Sequence, residues 1–297
     1  MKGENPGIAG VVVLFNPPAD VFDNIRSYID QVDSLYVVDN STQTDRAQIS
    51  KFLATPRVKY ISNFGNKGIA YALNRGAENA IENGYRYLLT MDQDTKLSEK
   101  FVPQLKEGFS RNQRVGIMAP RYERKDDTKP RYEKVLVAMT SGNILDLLAY
   151  KEAGPFIEEL FIDHVDHEYC LRLTVKGYSI VQDNSVLITH SPGKRIHAPV
   201  FFKTKSFSSH SPVRLYYFCR NGLYVSKWYE ASVPAFKVFF TRLIIRTVLK
   251  SFLERDFLQR IRMLNKGFHD YKAGIMGALA VDQTGINGVL NEAGNSK

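Results

Sequence analysis

Short apolar runs alternate with stretches of helical period through the first 120 residues, and each run predicts an element. Ile8 to Phe15 reads as a buried strand stopped by Pro17 and Pro18. Asp20 is placed to cap a helix whose Val21, Ile25, Tyr28 and Ile29 share one face. Ser34 to Val38 reads as a second strand ending at Asp39-Asn40, and Val58 to Ile61 as a third. A helix from Gly68 to Glu82 turns Ile69, Leu73, Ala77 and Ala80 inward, then passes through Asn83-Gly84 into the strand Tyr85 to Met91. Repeated strand, helix, strand units imply a mostly parallel sheet with helices on both faces.

Beyond residue 121 the alternation weakens. Arg121 to Lys134 reads as a charged loop, Val135 to Thr140 as a strand, and Asp163 to Lys176 as a helix closed by Gly177. Two short strands follow near Tyr178 to Gln182 and Val186 to Thr189. Residues 191–212 mix Gly, Pro, Ser, Lys and His without period and read as a mobile loop. After Pro212 the pattern is helical almost to the end, with a polar tail from about Asp282.

In sheets of this kind ligands sit at the carboxyl ends of the strands. The polar residues just after each strand therefore carry the chemistry: Asn16, Asp39, Asn63 to Asn66, and Asp92 with Asp94. All should converge on one rim. Asp92-Gln93-Asp94 sets two carboxylates at a strand end, and hard oxygen ligands of this type suit Mg²⁺ or Mn²⁺ bridged to a diphosphate. A lone D-x-D is also an ordinary polar turn, so its position at the rim is what gives it weight. On the predicted helix from Asp163, Glu168 and Arg172 stand four apart with the acid first, the orientation of a surface ion pair. Asp166 has no such helical partner and is read as either a cap or a general base. His164 and His167 fit no familiar zinc spacing and are taken as surface or acceptor-facing residues.

Composition adds less. The 297 residues suffice for one large domain and a smaller appendage, and 44% hydrophobic with 24% charged residues is ordinary for a globular protein. Cys170 and Cys219 cannot build a disulfide framework, which points to a reducing, cytoplasmic setting, and the first residues lack the pattern of a signal peptide. The net charge of +9 is placed unevenly: residues 231–272 hold nine Lys or Arg against three Asp or Glu, or +6. Such a surplus implies an anionic partner for the C-terminal part. Nucleic acid is the poorer fit, because the acidic rim opposes a phosphate polymer. Around Ala235 to Leu253 frequent apolar residues are joined by Arg242, Arg246 and Lys250, each four apart on one face. That charge density excludes a spanning helix and leaves two uses: an interfacial helix on anionic lipid, or a helix packed on the catalytic domain or on another subunit.

In order along the chain stand Val13-Leu-Phe-Asn-Pro17, Val38-Asp-Asn-Ser41, Asn66-Lys-Gly-Ile-Ala-Tyr-Ala-Leu-Asn74, Met91-Asp-Gln-Asp-Thr95, Ser141-Gly142, Phe161-Ile-Asp-His-Val-Asp-His-Glu-Tyr-Cys-Leu-Arg172, His190 and Arg214-Leu-Tyr-Tyr-Phe-Cys-Arg-Asn221. This series resembles family 2 glycosyltransferases of the GT-A fold, and within them bacterial rhamnosyltransferases of surface polysaccharide synthesis. The resemblance implies a Rossmann-like α/β catalytic domain over residues 1–212, divided into a nucleotide-sugar half (1–120) and an acceptor half (121–212), with a C-terminal helical extension over 213–297. It implies that Asp39 meets the nucleobase with Arg75 and the Asn66 to Gly68 loop nearby, that Phe15, Asn16 and Gln93 line the donor, and that Asp92 approaches the ribose. Asp94 and His190 would hold the cation, and Asp166 would be the base. Leu14 stands where the family often has Thr, and Val165 where an acid often precedes the base. The implied partners are dTDP-rhamnose or another nucleoside-diphosphate sugar, and a glycan or lipid-linked oligosaccharide. The alternatives are a UDP-hexose donor or a non-catalytic nucleotide-sugar-binding protein.

Overall fold

A computed structural model of the chain describes residues 7–43, 46–122, 128–188, 194–200 and 203–279. The chain divides into two compact units, the first formed by residues 1–158 with 165–190 and the second by 159–164 with 191–297.

The first unit is built on an eight-stranded mixed sheet. Strands β1 (Ile8–Leu14), β2 (Ser34–Asp39), β3 (Val58–Ser62) and β4 (Tyr87–Asp92) run parallel in the order β3-β2-β1-β4. The sheet continues through β7 (Asn143–Asp146), β5 (Val115–Arg121), β8 (Ser179–Leu187) and β6 (Tyr132–Lys134). Here β7 is antiparallel to both neighbours and β6 antiparallel to β8, while β5 and β8 are parallel. The helices are α1 (Val21–Arg26), α2 (Arg46–Leu53), α3 (Ile69–Glu82), α4 (Phe101–Arg111), α5 (Leu147–Ala153) and α6 (Val165–Val175). β1, β2 and β4 are apolar on both faces because they lie inside the sheet, and Val12, Leu14, Leu35, Val37, Leu89 and Met91 feed one core. Val21, Ile25, Tyr28 and Ile29 are buried together as their spacing predicts, although the helix ends at Arg26 and Asp20 makes no side-chain cap bond.

Beyond residue 121 the elements differ from those the sequence pattern predicts. No strand forms over Val135 to Thr140: the β6–β8 pairing ends with the Val135 N–H on the Ile180 carbonyl, and the Thr90 hydroxyl takes the Thr140 carbonyl at 2.6 Å. A side chain there does the work of a ladder. The two short strands expected after Gly177 are one, β8, and part of the charged loop after Arg121 pairs with it as β6.

The second unit contains α7 (Pro212–Trp228), α8 (Pro234–Ser251) and α9 (Phe257–Lys272), with Leu215, Cys219 and Leu264 at the centre of one cluster. The segment expected to be a loop carries a two-stranded antiparallel ribbon, β9 (Lys194–Val200) and β10 (Lys203–Ser209). Backbone bonds suffice to pair such strands, so no apolar alternation announced them.

Candidate active site

Parallel register decides what meets at the rim. Leu14 pairs with Asp39, Asp39 with Ser62 and Val13 with Asp92, so the residues following β1 to β4 emerge side by side. Asn16 sits at φ 42°, its N–H on the Ser41 hydroxyl at 2.8 Å and its side-chain oxygen accepting from the Thr42 N–H at 3.2 Å. Phe15 is clasped through its backbone: its N–H donates to Gln93 Oε1 at 2.8 Å and its carbonyl accepts from Gln93 Nε2 at 3.2 Å. Gln93 thus spends its amide joining the ends of β1 and β4.

Asp39 is buried, with one oxygen on the Ser41 N–H at 2.8 Å and the other accepting the Tyr60 hydroxyl at 2.5 Å. Burial first, and then this bond, push the Tyr60 phenol well above its usual range. A carboxylate has about four acceptor positions, so capacity remains for a ligand donor. Asn40 receives Asn63 Nδ2 at 2.7 Å and donates to the Gly68 carbonyl at 2.9 Å, fixing the 63–68 loop against β2. Asn66 accepts the Gly68 N–H at 3.0 Å, and Gly68, at φ 88°, opens α3, the helix that carries Arg75. Asn74, which closes that motif, is a strut: buried, it bonds the Tyr150 hydroxyl, both backbone groups of Phe156 and Glu158.

The D-Q-D turn is stapled from behind. Ser141, 1% exposed, accepts the Asp92 N–H at 3.0 Å and donates to the Thr95 hydroxyl at 3.0 Å, which reaches Asp94 at 3.4 Å. Tyr122, just past β5, donates to the Ser141 carbonyl. Burial first, then the carboxylates of Asp92, Asp166 and Asp94 in that order, raise the Tyr122 phenol well above its ordinary value. Three acids from two distant stretches of chain therefore act on one hydroxyl. Tyr122 was hidden in what reads as a charged loop. The signal that could have found it is the apolar run Val115 to Pro120, whose strand ends just before it.

Asp166 is the second residue of α6, so it is not the cap, and its Oδ1 accepts the His167 N–H at 2.8 Å. Glu168 is only 1% exposed and holds Arg172, at 2.9 Å from Nε, in a buried fork and not the expected surface pair. Arg172 also donates to the Ala153 and Pro155 carbonyls. The two acids face apart, as a separation of about 200° on a helix requires. Burial chiefly, with Asp166 and Glu168 adding, pushes the Cys170 thiol up to about 12. His190 lies outside the described residues. Among the described residues no three His, Cys, Asp or Glu side chains gather as a ready metal site.

The second unit absorbs the remaining motif. Arg214 grips Asp163 with two bonds at 2.8 and 2.5 Å, and Asn221 Nδ2 donates to the carbonyls of Leu160, Ile162 and Asp163. Phe161, Asp163 and His164 have φ of 63°, 62° and 61°, and Tyr217 stacks on Phe161 at 5.3 Å. His164 is not on the surface: it is buried against Phe218, Phe236 and Phe240.

The chain is similar to known proteins in sequence and in fold. A dTDP-rhamnosyl transferase RfbF of Shigella flexneri is 27% identical over an alignment covering 73% of this chain and 79% of its own. Among solved structures, a Pyrobaculum calidifontis mannosyltransferase in complex with GDP-mannose and Mn²⁺ is similar at a TM-score of 0.58 and 10% identity, covering 91% of this chain and 88% of that one. GalNAc-T7 with UDP, GalNAc and Mn²⁺ is similar at a TM-score of 0.59 and 12% identity over 92% of this chain, which spans 57% of that longer one. Likeness at such identity concerns the fold, which is GT-A. The sequence pattern of glycosyl transferase family 2 matches residues 11–161, half the chain and the carboxyl ends of β1 to β4, and the protein therefore belongs to that family and is a glycosyltransferase.

Proposed function

We propose that the protein is an inverting, divalent-metal-dependent transferase that moves L-rhamnose from dTDP-rhamnose to a glycan or lipid-linked acceptor of a bacterial surface polysaccharide, working at the inner face of the cell membrane. The donor is supported by the similarity to the Shigella rhamnosyl transferase. The reaction type is supported by one observation above the others: Asp92 and Asp94 stand at the end of β4 on the rim, and Asp166 lines a cavity together with Thr90 of that same strand.

Hard oxygen ligands at the end of β4 fit Mg²⁺ or Mn²⁺, with Asp94 and His190 as the protein groups that would hold the cation against a donor diphosphate. When bound, such a cation supplies charge stabilisation for a departing diphosphate. The protein's own part is positioning and proton transfer. Asp39, Asn66 and Gly68 hold the nucleoside side of the rim, with Arg75 carried on α3, the helix that Gly68 opens. Asp166 takes the proton of the acceptor hydroxyl, whose oxygen bonds to the anomeric carbon as the bond from that carbon to the diphosphate oxygen breaks. The electron pair leaves with the diphosphate, and attack from the opposite face inverts the centre. Glu168, committed to Arg172, is not available for this role.

The test is transfer from a panel of dTDP- and UDP-sugars, with and without Mn²⁺. Asp166→Asn should fold and bind donor normally yet transfer roughly 10²-fold or more slowly, while Glu168→Gln chiefly loses stability. A dead, well-folded Glu168→Gln beside an active Asp166→Asn would reverse the roles, and turnover of UDP-hexoses alone would replace the donor.

A further inference from the structure

α8 has two faces of different fate. Phe236 and Phe240 are buried, and Ile244 and Val248 pack on the cluster around Leu215, Cys219 and Leu264. Its other side is bare: Val238 is 53% exposed, Ile245 53% and Leu249 62%. At about 100° per residue these three fall within roughly 40° of one another, Arg242 lies in the same stripe, and Arg246 and Lys250 flank it on one side. The turn that follows carries more apolar surface, with Phe252, Leu253, Phe257 and Leu258 all exposed and the rings of Phe252 and Phe257 6.1 Å apart. Apolar groups so concentrated on a surface mark an interaction site.

Charge identifies the occupant. From residue 237 to 262 the exposed charged residues are all basic: Lys237, Arg242, Arg246, Lys250, Arg255 and Arg262. The two acids of the stretch, Glu254 and Asp256, are both taken by Arg260. A second copy meeting this face about a two-fold axis would set arginine against arginine. No described helix is long and apolar enough to cross a bilayer. An apolar stripe edged with cations suits the boundary between anionic headgroups and acyl chains.

We propose that the outward face of α8 and the 252–258 turn seat the protein on an anionic phospholipid surface, the cations on the headgroups and the turn as a shallow apolar wedge. This deepens the membrane location proposed above and rests on it only for its purpose, since lipid binding is measured without sugar transfer. The full chain should sediment with phosphatidylglycerol-containing vesicles and not with pure phosphatidylcholine, less so at high salt. Arg242→Gln/Arg246→Gln/Lys250→Gln should weaken binding about 10²-fold, from about 1 kcal/mol or fivefold per cation. Phe252→Ser/Leu258→Ser should weaken it on the order of tenfold per side chain at every salt concentration. Both variants change exposed positions and should keep the wild-type unfolding midpoint and transfer to a water-soluble acceptor. Equal binding to both vesicle types, or a triple variant that binds unchanged, overturns the proposal. So does a wild-type dimer that the same substitutions dissociate, which would identify the occupant as a second copy. Vesicle binding without any transfer would instead count against the enzymatic reading alone.

Discussion

Ser141→Ala isolates the staple behind the D-Q-D turn. The substitution keeps Cβ and leaves the Ser141 carbonyl in place for Tyr122, so only the hydroxyl's two bonds, to the Asp92 N–H and to Thr95, are lost. At 1% exposure no bulk water replaces them. Leaving a buried N–H without its acceptor costs about 1–3 kcal/mol, and chemical denaturation should show that loss as a lower midpoint with unchanged slope. Activity should fall further than stability suggests. The Asp92 backbone sets where both carboxylates point, and displacement by about 1 Å at a reacting centre can cost 10²-fold, so kcat/KM for the donor should drop about tenfold or more. Thr95→Val removes one of the same bonds together with the 3.4 Å contact to Asp94. The double variant should therefore cost less than the two single losses added, by roughly 0.5–1 kcal/mol. Wild-type midpoint and activity in Ser141→Ala, or strict additivity with Thr95→Val, would refute the staple.

Asp94→Ala should abolish the Mn²⁺-dependent gain in dTDP affinity measured by calorimetry; a gain that survives would remove Asp94 from the metal site. Gly76→Ala should destabilise the first unit by about 1–3 kcal/mol in denaturant titration despite alanine's better helix propensity. The added Cβ would stand 2.3 Å from Val11 Cγ2 and 2.6 Å from Val11 Cβ, and a more stable variant would contradict the close approach of α3 to β1. Acid should weaken the second unit through Asp163: burial raises its pKa, but the Arg214 guanidinium outweighs this and holds it below the ordinary 3.8. A folded value below the unfolded one gives stability that is complete above about pH 4 and is lost as pH falls through the folded value. Arg214→Met should remove that acid-dependent part, and identical acid unfolding profiles for the two proteins would exclude it.

The parallel half of the sheet was legible because β1, β2 and β4 are buried on both faces and read as continuous apolar runs leading to Asn16, Asp39 and Asp92, while the half-buried edge strand β3 showed only as the short run from Val58 to Ile61 before Asn63. The rim followed from that, whereas the order of the strands comes from the structure alone. The antiparallel half was not: β6 is three residues long, and β7 lies inside a stretch whose apolar residues start at Val135, eight positions too early. Spacing alone gave the Glu168–Arg172 pair but not its burial, since an i,i+4 relation says which side chains meet and nothing of what covers them. Gln93, Asn74 and Ser141 show the same limit in the site. Each stands in a motif that carries the resemblance, yet Gln93 clasps Phe15, Asn74 braces Phe156, and Ser141 holds Asp92. Roles of this kind depend on partners 49 to 84 residues away in sequence.

The left-handed stretch at Phe161, Asp163 and His164 changes how the chain can be divided. Residues 159–164 belong with 191–297, although they lie between two segments of the first unit. The backbone crosses from one unit to the other, returns through α6, and crosses again, so no single cut separates them. A chain ended at residue 212 would lack Arg214, Tyr217 and Asn221, and three residues in a conformation that L side chains rarely adopt would lose the groups that hold them. The helices after residue 212 are thus an internal scaffold for a segment made fifty residues earlier. The peptide that enters the helix of Asp166 has its full set of partners only when residues 214–221 are part of the chain.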